Sequence, residues 1–188
     1  PHMMSVEGVY GAEWYNNTPV LTNRAAEHNA TLPFTRNVVG PMDYTPGTFS
    51  DSQHPHITSY GHELALPIIF ESALQHMPDR PSVYYDMPEP VKKLLSDLPV
   101  AWDDTKLLAG YPGMEVVMAR RKGDVWYIAG INGTNKPRTL CFLLKDLSVV
   151  GKKITLFEDG IYDRSFTIAE DLPLSEDEMN LEIKCLPR

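Results

Sequence analysis

The second half of the chain alternates short apolar runs with turn residues, a pattern typical of antiparallel strands. Residues 115–121 and 125–131 flank a Lys-Gly-Asp turn and predict a β-hairpin. Four more strand-like runs follow at short spacing, at 139–144, 153–157, 165–169 and 180–186. Strands this short and this closely spaced predict an antiparallel β-sandwich.

The first 80 residues have little regular apolar periodicity. Residues 61–77 have helical spacing, with Pro67 predicted to bend or break the helix, and residues 88–98 predict a short linking helix. Val38 and Val39 precede a Gly-Pro turn and are interpreted as the end of a strand. Two strands and one or two helices are too few for a closed core, so this part has the pattern of a piece of a larger α/β domain.

Such a piece is expected to expose apolar side chains that strands of the complete domain would cover. The residues concerned are Leu64, Leu66, Ile68, Ile69, Phe70 and Leu74. An exposed apolar patch of this kind favours self-association.

Composition narrows the class of protein without giving a function. With 188 residues the chain is one domain or two small ones, and a net charge of −8 argues against a nucleic-acid partner. No apolar run reaches the roughly 18 residues that span a bilayer, so no membrane insertion is expected, and no signal peptide is recognisable at Pro1. All six histidines fall in the first 80 positions, in polar sequence typical of functional loops.

Cysteines and histidines give only weak candidates. Cys141 and Cys185 each lie in a strand-like run and are expected to be buried thiols, and a disulfide between them stays open. His54, His56 and His62 invite a metal interpretation, but no cysteine lies nearby to complete a typical zinc site. Ordinary loop histidines are the simpler interpretation.

The EGVYGAE segment, residues 7–13, carries two candidate catalytic carboxylates. On an extended strand Glu7 and Glu13 would lie about 20 Å apart, but Gly8 and Gly11 permit a sharp turn. Converging carboxylates suit a Ca²⁺ ion or acid–base chemistry at a glycosidic bond. An adjacent tryptophan, Trp14, would desolvate Glu13 or stack on a sugar ring. The alternative is a pair of solvated surface acids.

The GPMDYTPG segment, residues 40–47, places an acid and an aromatic residue, Asp43 and Tyr44, between two rigid turns. In an α/β barrel, loops of this kind follow the strands and build the active site. The alternative is a structural loop in which Asp43 caps a turn.

These two motifs, in this order and spacing, resemble glycoside hydrolase family 97, the bacterial α-glucosidases and α-galactosidases. The resemblance covers nearly the whole chain, through residues 4–13, 32–36, 40–47, 63–66, 70–72 and 119–127.

The resemblance implies a fold in two parts. Residues 1–81 would be the terminal segments of a (β/α)₈ barrel, and residues 82–188 a C-terminal antiparallel β-sandwich, giving an α+β fragment overall. The family's C-terminal domain is associated with oligomerisation, so a homo-oligomer is expected. A periplasmic or secreted location is also implied.

The resemblance further implies residue roles. Glu13 would be the general acid of an exo-acting α-glycosidase that hydrolyses terminal α-linked sugars of an oligosaccharide, and Glu7 and Glu13 would both bind Ca²⁺. Trp14, Asp43 and Tyr44 are weaker substrate-binding candidates. The base or nucleophile would lie before Pro1, so the isolated chain is expected to be inactive, and neither the stereochemical course nor the sugar preference is fixed.

A second hypothesis from a different class stays open. Residues 82–188 would then be a non-catalytic β-sandwich module for domain support, oligomerisation or carbohydrate contact. Trp102 and Trp126 are candidates for a stacking platform, although Trp126 lies in an alternating strand and is as readily a core residue.

Overall fold

A computed structural model describes residues 5–15, 18–51, 55, 57–162, 164–174 and 180–185. The side chains of Tyr15, Pro19 and residues 180–185 are outside this description. His54 and His56, two of the histidines considered for a metal, also lie outside the described residues. None of the described helices is both long and apolar enough to cross a membrane.

Seven helices, most of them short, occupy the described part of the chain up to Asp97. They are α1 (Ala12–Tyr15), α2 (Pro19–Thr22), α3 (Ala25–Thr31), α4 (Arg36–Val39), α5 (Tyr60–Ile69), α6 (Pro81–Tyr85) and α7 (Glu89–Asp97). The predicted linking helix is confirmed as α7. The predicted strand end at Val38 and Val39 is wrong, because both residues lie in α4, at 73% and 86% exposure.

Among the described residues after Asp97 seven strands follow, and all their pairings are antiparallel, as predicted. They are β1 (Asp104–Tyr111), β2 (Glu115–Lys122), β3 (Val125–Asn132), β4 (Arg138–Leu143), β5 (Lys153–Asp159), β6 (Phe166–Pro173) and β7 (Asn180–Cys185). β1, β2 and β3 form one sheet in that order, while β4 pairs with β7 and β5 with β6. Six of these strands, β2 to β7, correspond to strand-like runs in the sequence, whereas β1 does not. Cys141, in β4, is exposed, so the prediction of a buried thiol there is wrong.

Strand β2 separates two apolar cores. Val116 and Met118 on one face pack with α5 and β3, whereas Val117 and Ala119 on the other face pack with β4. This alternation follows from the two-residue period of a strand. The described chain therefore has a helical layer, a central three-stranded sheet and a second β layer.

Helix α5 corrects the expectation of an exposed apolar surface. Five of the six residues named for it are at most 6% exposed, and Leu74 alone, at 38%, is not buried. The reason is that α5 packs on β2 and β3, so the first part of the chain completes a core with the second. The helix ends at Ile69, two residues after Pro67, earlier than the predicted segment.

A buried arginine holds the end of α5 on the sheet. Arg120 of β2 is 3% exposed, and its Nε and Nη2 donate to Ile68 O at 2.6 Å and Ile69 O at 2.8 Å. Its Nη1 donates to the carboxylate of Glu71. Glu71 O in turn accepts the Met42 N–H at 3.1 Å, which links this sheet to the GPMDYTPG segment.

Candidate functional site

The EGVYGAE and GPMDYTPG segments lie side by side. Val6 and Met42 form an isolated parallel bridge, and the Asp43 N–H donates to Val6 O at 3.1 Å. Further along, the Ala12 N–H donates to Tyr44 O at 3.1 Å. The two motifs that the sequence singled out separately therefore meet in one place.

Arg36 fixes the backbone that carries Glu7. Its Nη2 donates to Val6 O at 2.8 Å and to Glu7 O at 3.1 Å, and its Nη1 donates to Gly40 O at 3.2 Å. The Glu7 residue is exposed, and among the described residues no hydrogen bond or ion pair is recorded for its carboxylate. The sequence reached Arg36 only through the family resemblance.

Gly11 allows the chain to turn closely against the second segment. A Cβ at Gly11 would lie 2.0 Å from Tyr44 O and 2.6 Å from Thr45 Oγ1, so no side chain fits there. The Trp14 N–H donates to Gly11 O at 3.1 Å, and the chain passes directly into α1. Together with the positive φ of 100° at Gly8, this shows that the chain uses the conformational freedom that the two glycines permit.

Glu13 projects from α1 at the surface and reaches the GPMDYTPG segment. The hydroxyl of Thr45 donates a hydrogen bond to Glu13 Oε2. Thr45 has a φ of 62°, in the left-handed region that is unfavourable for a β-branched residue. The sequence analysis did not single out Thr45, because only the fold reveals its conformation and its partner.

Trp14 and Tyr10 form an exposed aromatic pair beside Glu13. Their ring centroids are 5.6 Å apart in an edge-to-face arrangement, and they are 47% and 49% exposed. Tyr10 also lies 6.4 Å from the ring of His28, whose pKa is lowered by burial. The exposed Trp14 ring can meet a sugar, but in the described chain it does not enclose Glu13.

Tyr44 differs from the other substrate-binding candidates because its side chain is buried, at 2% exposure. Its hydroxyl donates to Asn29 Oδ1, and Asn29 Nδ2 lies 3.0 Å from His62 Nε2. Its ring packs against Phe70, with centroids 4.6 Å apart. A ligand cannot reach this ring in the folded chain, so we assign Tyr44 a structural role, and His62 belongs to the same buried network.

Asp43 has a histidine partner that the sequence analysis did not foresee. His76 Nδ1 lies 3.1 Å from Asp43 Oδ1, with the histidine side chain 55% and the aspartate side chain 23% exposed. The two residues are far apart in the sequence and carry no joint motif. Asp43 therefore lies at a partly exposed position with its carboxylate paired to His76.

The described residues contain no group of three or more His, Cys, Asp or Glu side chains that could hold a metal ion. Glutamate oxygens are the donor type that Ca²⁺ prefers, but Ca²⁺ takes six to eight oxygen ligands. The carboxylate oxygens of Glu7 and Glu13 are therefore of the right type, but two side chains supply too few ligands for the ion. A calcium site would require ligands from outside the described part of the chain.

Curated proteins similar to this chain include one described as a probable retaining alpha-galactosidase and one described as a retaining alpha-galactosidase. The chain is 45% identical over 130 residues to a probable retaining alpha-galactosidase of Streptomyces bingchenggensis, and this match covers 69% of the chain and 19% of that protein. It is 33% identical over 174 residues to a retaining alpha-galactosidase of Bacteroides thetaiotaomicron, covering 86% of the chain and 25% of that protein. The chain thus spans about a fifth to a quarter of the length of these relatives.

Solved structures share the fold. A beta-arabinopyranosidase superposes with a TM-score of 0.85 at 25% identity, over 97% of the chain and 30% of that structure. A glycoside hydrolase family 97 enzyme from Pseudoalteromonas sp. strain K8, in complex with panose, superposes with a TM-score of 0.75 at 24% identity, over 98% of the chain and 30% of that structure.

The family assignment comes from the second half of the chain. Residues 101–185 match the family described as "Glycosyl-hydrolase 97 C-terminal, oligomerisation". This range contains the seven described strands of the antiparallel sheets. Both curated relatives are glycosidases by description, which agrees with a glycosyl-hydrolase family. Residues 101–185 are therefore a glycoside hydrolase family 97 C-terminal domain, and the chain belongs to that family.

Proposed function

We propose that this chain is the C-terminal part of an exo-acting, retaining α-galactosidase in which Glu13 is the general acid. The observation that carries the proposal is the exposed carboxylate of Glu13, held by Thr45 where the two motif segments meet. The exposed ring of Trp14 lies beside it and offers a stacking surface for a sugar. Similarity to two retaining alpha-galactosidases supports an α-galactoside as the substrate and retention of the anomeric configuration in the product.

The reaction divides between Glu13 and a carboxylate elsewhere in the longer protein. Protonated Glu13 gives its proton to the glycosidic oxygen as the bond from that oxygen to the anomeric carbon breaks. The second carboxylate attacks the anomeric carbon, and a covalent glycosyl-enzyme forms while the alcohol leaves. Ionised Glu13 then takes a proton from the water that hydrolyses this intermediate. In this proposal residues 1–81 are the terminal segments of the barrel that brings both groups together.

Glu7 and Glu13 are also proposed to supply part of a Ca²⁺ site, completed by oxygen ligands from the rest of the longer protein. When bound, the ion would add positive charge beside the substrate. Calcium titration of the longer protein tests this, with a weaker affinity expected for Glu7→Gln. Equal affinity in the two proteins would remove Glu7 from the site.

The substrate class is tested on the full-length protein with matched aryl glycosides. We expect turnover of the α-galactoside to exceed that of the α-glucoside, with the α-anomer of galactose as the first product by NMR. The β-arabinopyranoside belongs in the same panel because the beta-arabinopyranosidase shares this fold. Preference for the glucoside, or release of the β-anomer, would overturn the proposal. The 188-residue chain alone should be inactive on every substrate.

A second candidate role follows from the family description, which names oligomerisation for residues 101–185. In this role the β layers hold subunits of the longer protein together and contribute no catalytic group. Sedimentation of the full-length protein with and without these residues tests the role. A monomer in both forms would contradict it.

Cell fractionation tests the further proposal of a periplasmic or secreted location.

A further inference from the structure

We infer that Thr45 is a positioning residue for Glu13, with a hydroxyl that fixes the direction of the carboxyl group. This inference rests on the proposed role of Glu13 as the general acid and adds a residue to that site. Thr45 lies within the GPMDYTPG segment, and its role in the site follows from its backbone conformation and contacts.

The backbone of Thr45 is the first observation. Its φ of 62° lies in the left-handed region, which glycine and asparagine tolerate and which a β-branched side chain strains. Such strain persists where the surrounding structure over-determines the conformation, as it commonly does at active sites. A glycine would relieve the strain but would supply no hydroxyl group.

The contacts of the hydroxyl are the second observation. Thr45 Oγ1 is within hydrogen-bond distance of both Glu13 Oε2 and Tyr44 O. Its single proton is shared between these two acceptors, so the hydroxyl links the side chain of Glu13 to the backbone of the GPMDYTPG segment. One carboxyl oxygen of Glu13 is held against the segment, and this restricts rotation of the group that must face the leaving oxygen.

The neighbours of Thr45 are fixed on both sides. Tyr44 is buried and hydrogen-bonded to Asn29, and Pro46 and Gly47 after it are also buried. The hydroxyl of Tyr84 donates to Gly47 O at 3.1 Å. This frame explains how the strained backbone of Thr45 is maintained. The Thr45 hydroxyl that contacts Glu13 is therefore carried by a backbone segment whose neighbours on both sides are buried and hydrogen-bonded.

Loss of the Thr45 hydroxyl should affect substrates with poor leaving groups more than substrates with good ones. General-acid help is needed when the leaving group is a poor one, and an acidic phenol departs with little need of a proton. Loss of the Thr45 hydroxyl should therefore lower kcat/KM, which reports the step that breaks the glycosidic bond, for an α-galactosyl disaccharide and leave kcat/KM for a dinitrophenyl α-galactoside nearly unchanged. A loss that came only from a disturbed fold would affect both substrates alike.

The test compares Thr45→Val with Thr45→Ser in the full-length protein. Valine keeps the branched shape and removes the hydroxyl, and we expect kcat/KM for the disaccharide to fall about 10-fold or more, with little change in kcat/KM for the dinitrophenyl α-galactoside. Serine keeps the hydroxyl and should restore most of this loss. Thr31→Val is the matched control, because the Thr31 hydroxyl donates to Glu27 O at 2.8 Å on an exposed helix surface.

Three outcomes would overturn the inference: equal losses on both substrates, no loss in Thr45→Val, or no rescue by serine. Glu13→Gln, assayed in parallel, separates this inference from the proposed function. If Glu13→Gln distinguishes the two substrates and Thr45→Val does not, only the role of Thr45 is lost. If Glu13→Gln fails to distinguish them, the assignment of Glu13 as the acid is lost as well.

Discussion

The Tyr84 hydroxyl connects the end of the GPMDYTPG segment to the helices that follow it. It accepts the Asp79 N–H and donates to Gly47 O, each at 3.1 Å. Burial raises the pKa of Tyr84 from 10.0 to about 12. Near pH 11 the folded protein keeps a proton that the unfolded chain releases, so this contribution to stability is complete below pH 10 and is lost as pH approaches 12.

We therefore predict that the free energy of unfolding falls between pH 10 and 12 and that the fall is shallower in Tyr84→Phe. Urea unfolding at a series of pH values measures this. Tyr85→Phe is the control, because Tyr85 is 76% exposed and should leave the slope unchanged. Identical slopes in the two variants would contradict the prediction.

Individual residues differ in how far the sequence could identify them. The spacing within EGVYGAE indicates Glu7 and Glu13 as candidate carboxylates, and Gly11 is indicated because a glycine permits a sharp turn. Thr45 and His76 could not be identified, because they act through partners more than 30 positions away in the sequence. Tyr44 was interpreted as a ligand contact because an aromatic residue in a polar loop gives no indication of whether it is buried.

At the level of elements, α5 and β2 depend on Arg120. The last carbonyl groups of a helix have no partner within the helix, and a cation there is favourable for the helix dipole. Arg120 satisfies the carbonyls of Ile68 and Ile69 and also donates to Thr105 Oγ1 at 3.0 Å. Burial lowers the pKa of Arg120, while the nearby Glu71 opposes that shift.

Arg120→Met should lower the free energy of unfolding by at least about 2 kcal/mol, because it leaves buried carbonyl groups without donors. Arg121→Met, at the next position of β2, is the matched control. Arg121 is only partly buried and pairs with Asp103 at 4.0 Å, so its loss should cost under about 1 kcal/mol. Denaturant unfolding measures both variants, and equal losses would contradict the role assigned to Arg120.

Helices and strands were predicted correctly where apolar residues recur with a clear period. They were missed where tertiary contacts determine the secondary structure. The strands around the Lys-Gly-Asp turn were predicted almost to the residue, as β2 and β3. Strand β1 was missed because Asp104–Tyr111 mixes charged, small and apolar residues without strict alternation. The short helices before Arg36 give no periodic pattern, because helices of four to seven residues are too short to show one.

At the level of the whole molecule, the two parts of the chain share one core. The predicted boundary between residues 81 and 82 stays a prediction, but α5 lies before it while β2 and β3 lie after it. The sequence suggested two separate parts because composition changes at that point. The two parts pack together because α5 covers the apolar face of β2 that carries Val116 and Met118.

This packing predicts that residues 82–188 alone are less stable than the whole chain. Without α5, Val116, Met118 and Ile131 lose their cover, and a dye that binds exposed apolar surface should bind the shorter chain more strongly. The whole chain should unfold in one transition, with the same midpoint by near-ultraviolet and far-ultraviolet circular dichroism. Equal stability of the two chains would show that α5 is not needed for the fold.

The most direct test of the central claim is the leaving-group dependence of Glu13→Gln in the full-length protein. If Glu13 is the general acid, kcat/KM for an α-galactosyl disaccharide should fall by roughly 10²–10⁴, while a dinitrophenyl α-galactoside loses little. Unchanged hydrolysis of the disaccharide, or the same loss on both substrates, would contradict the assignment of Glu13.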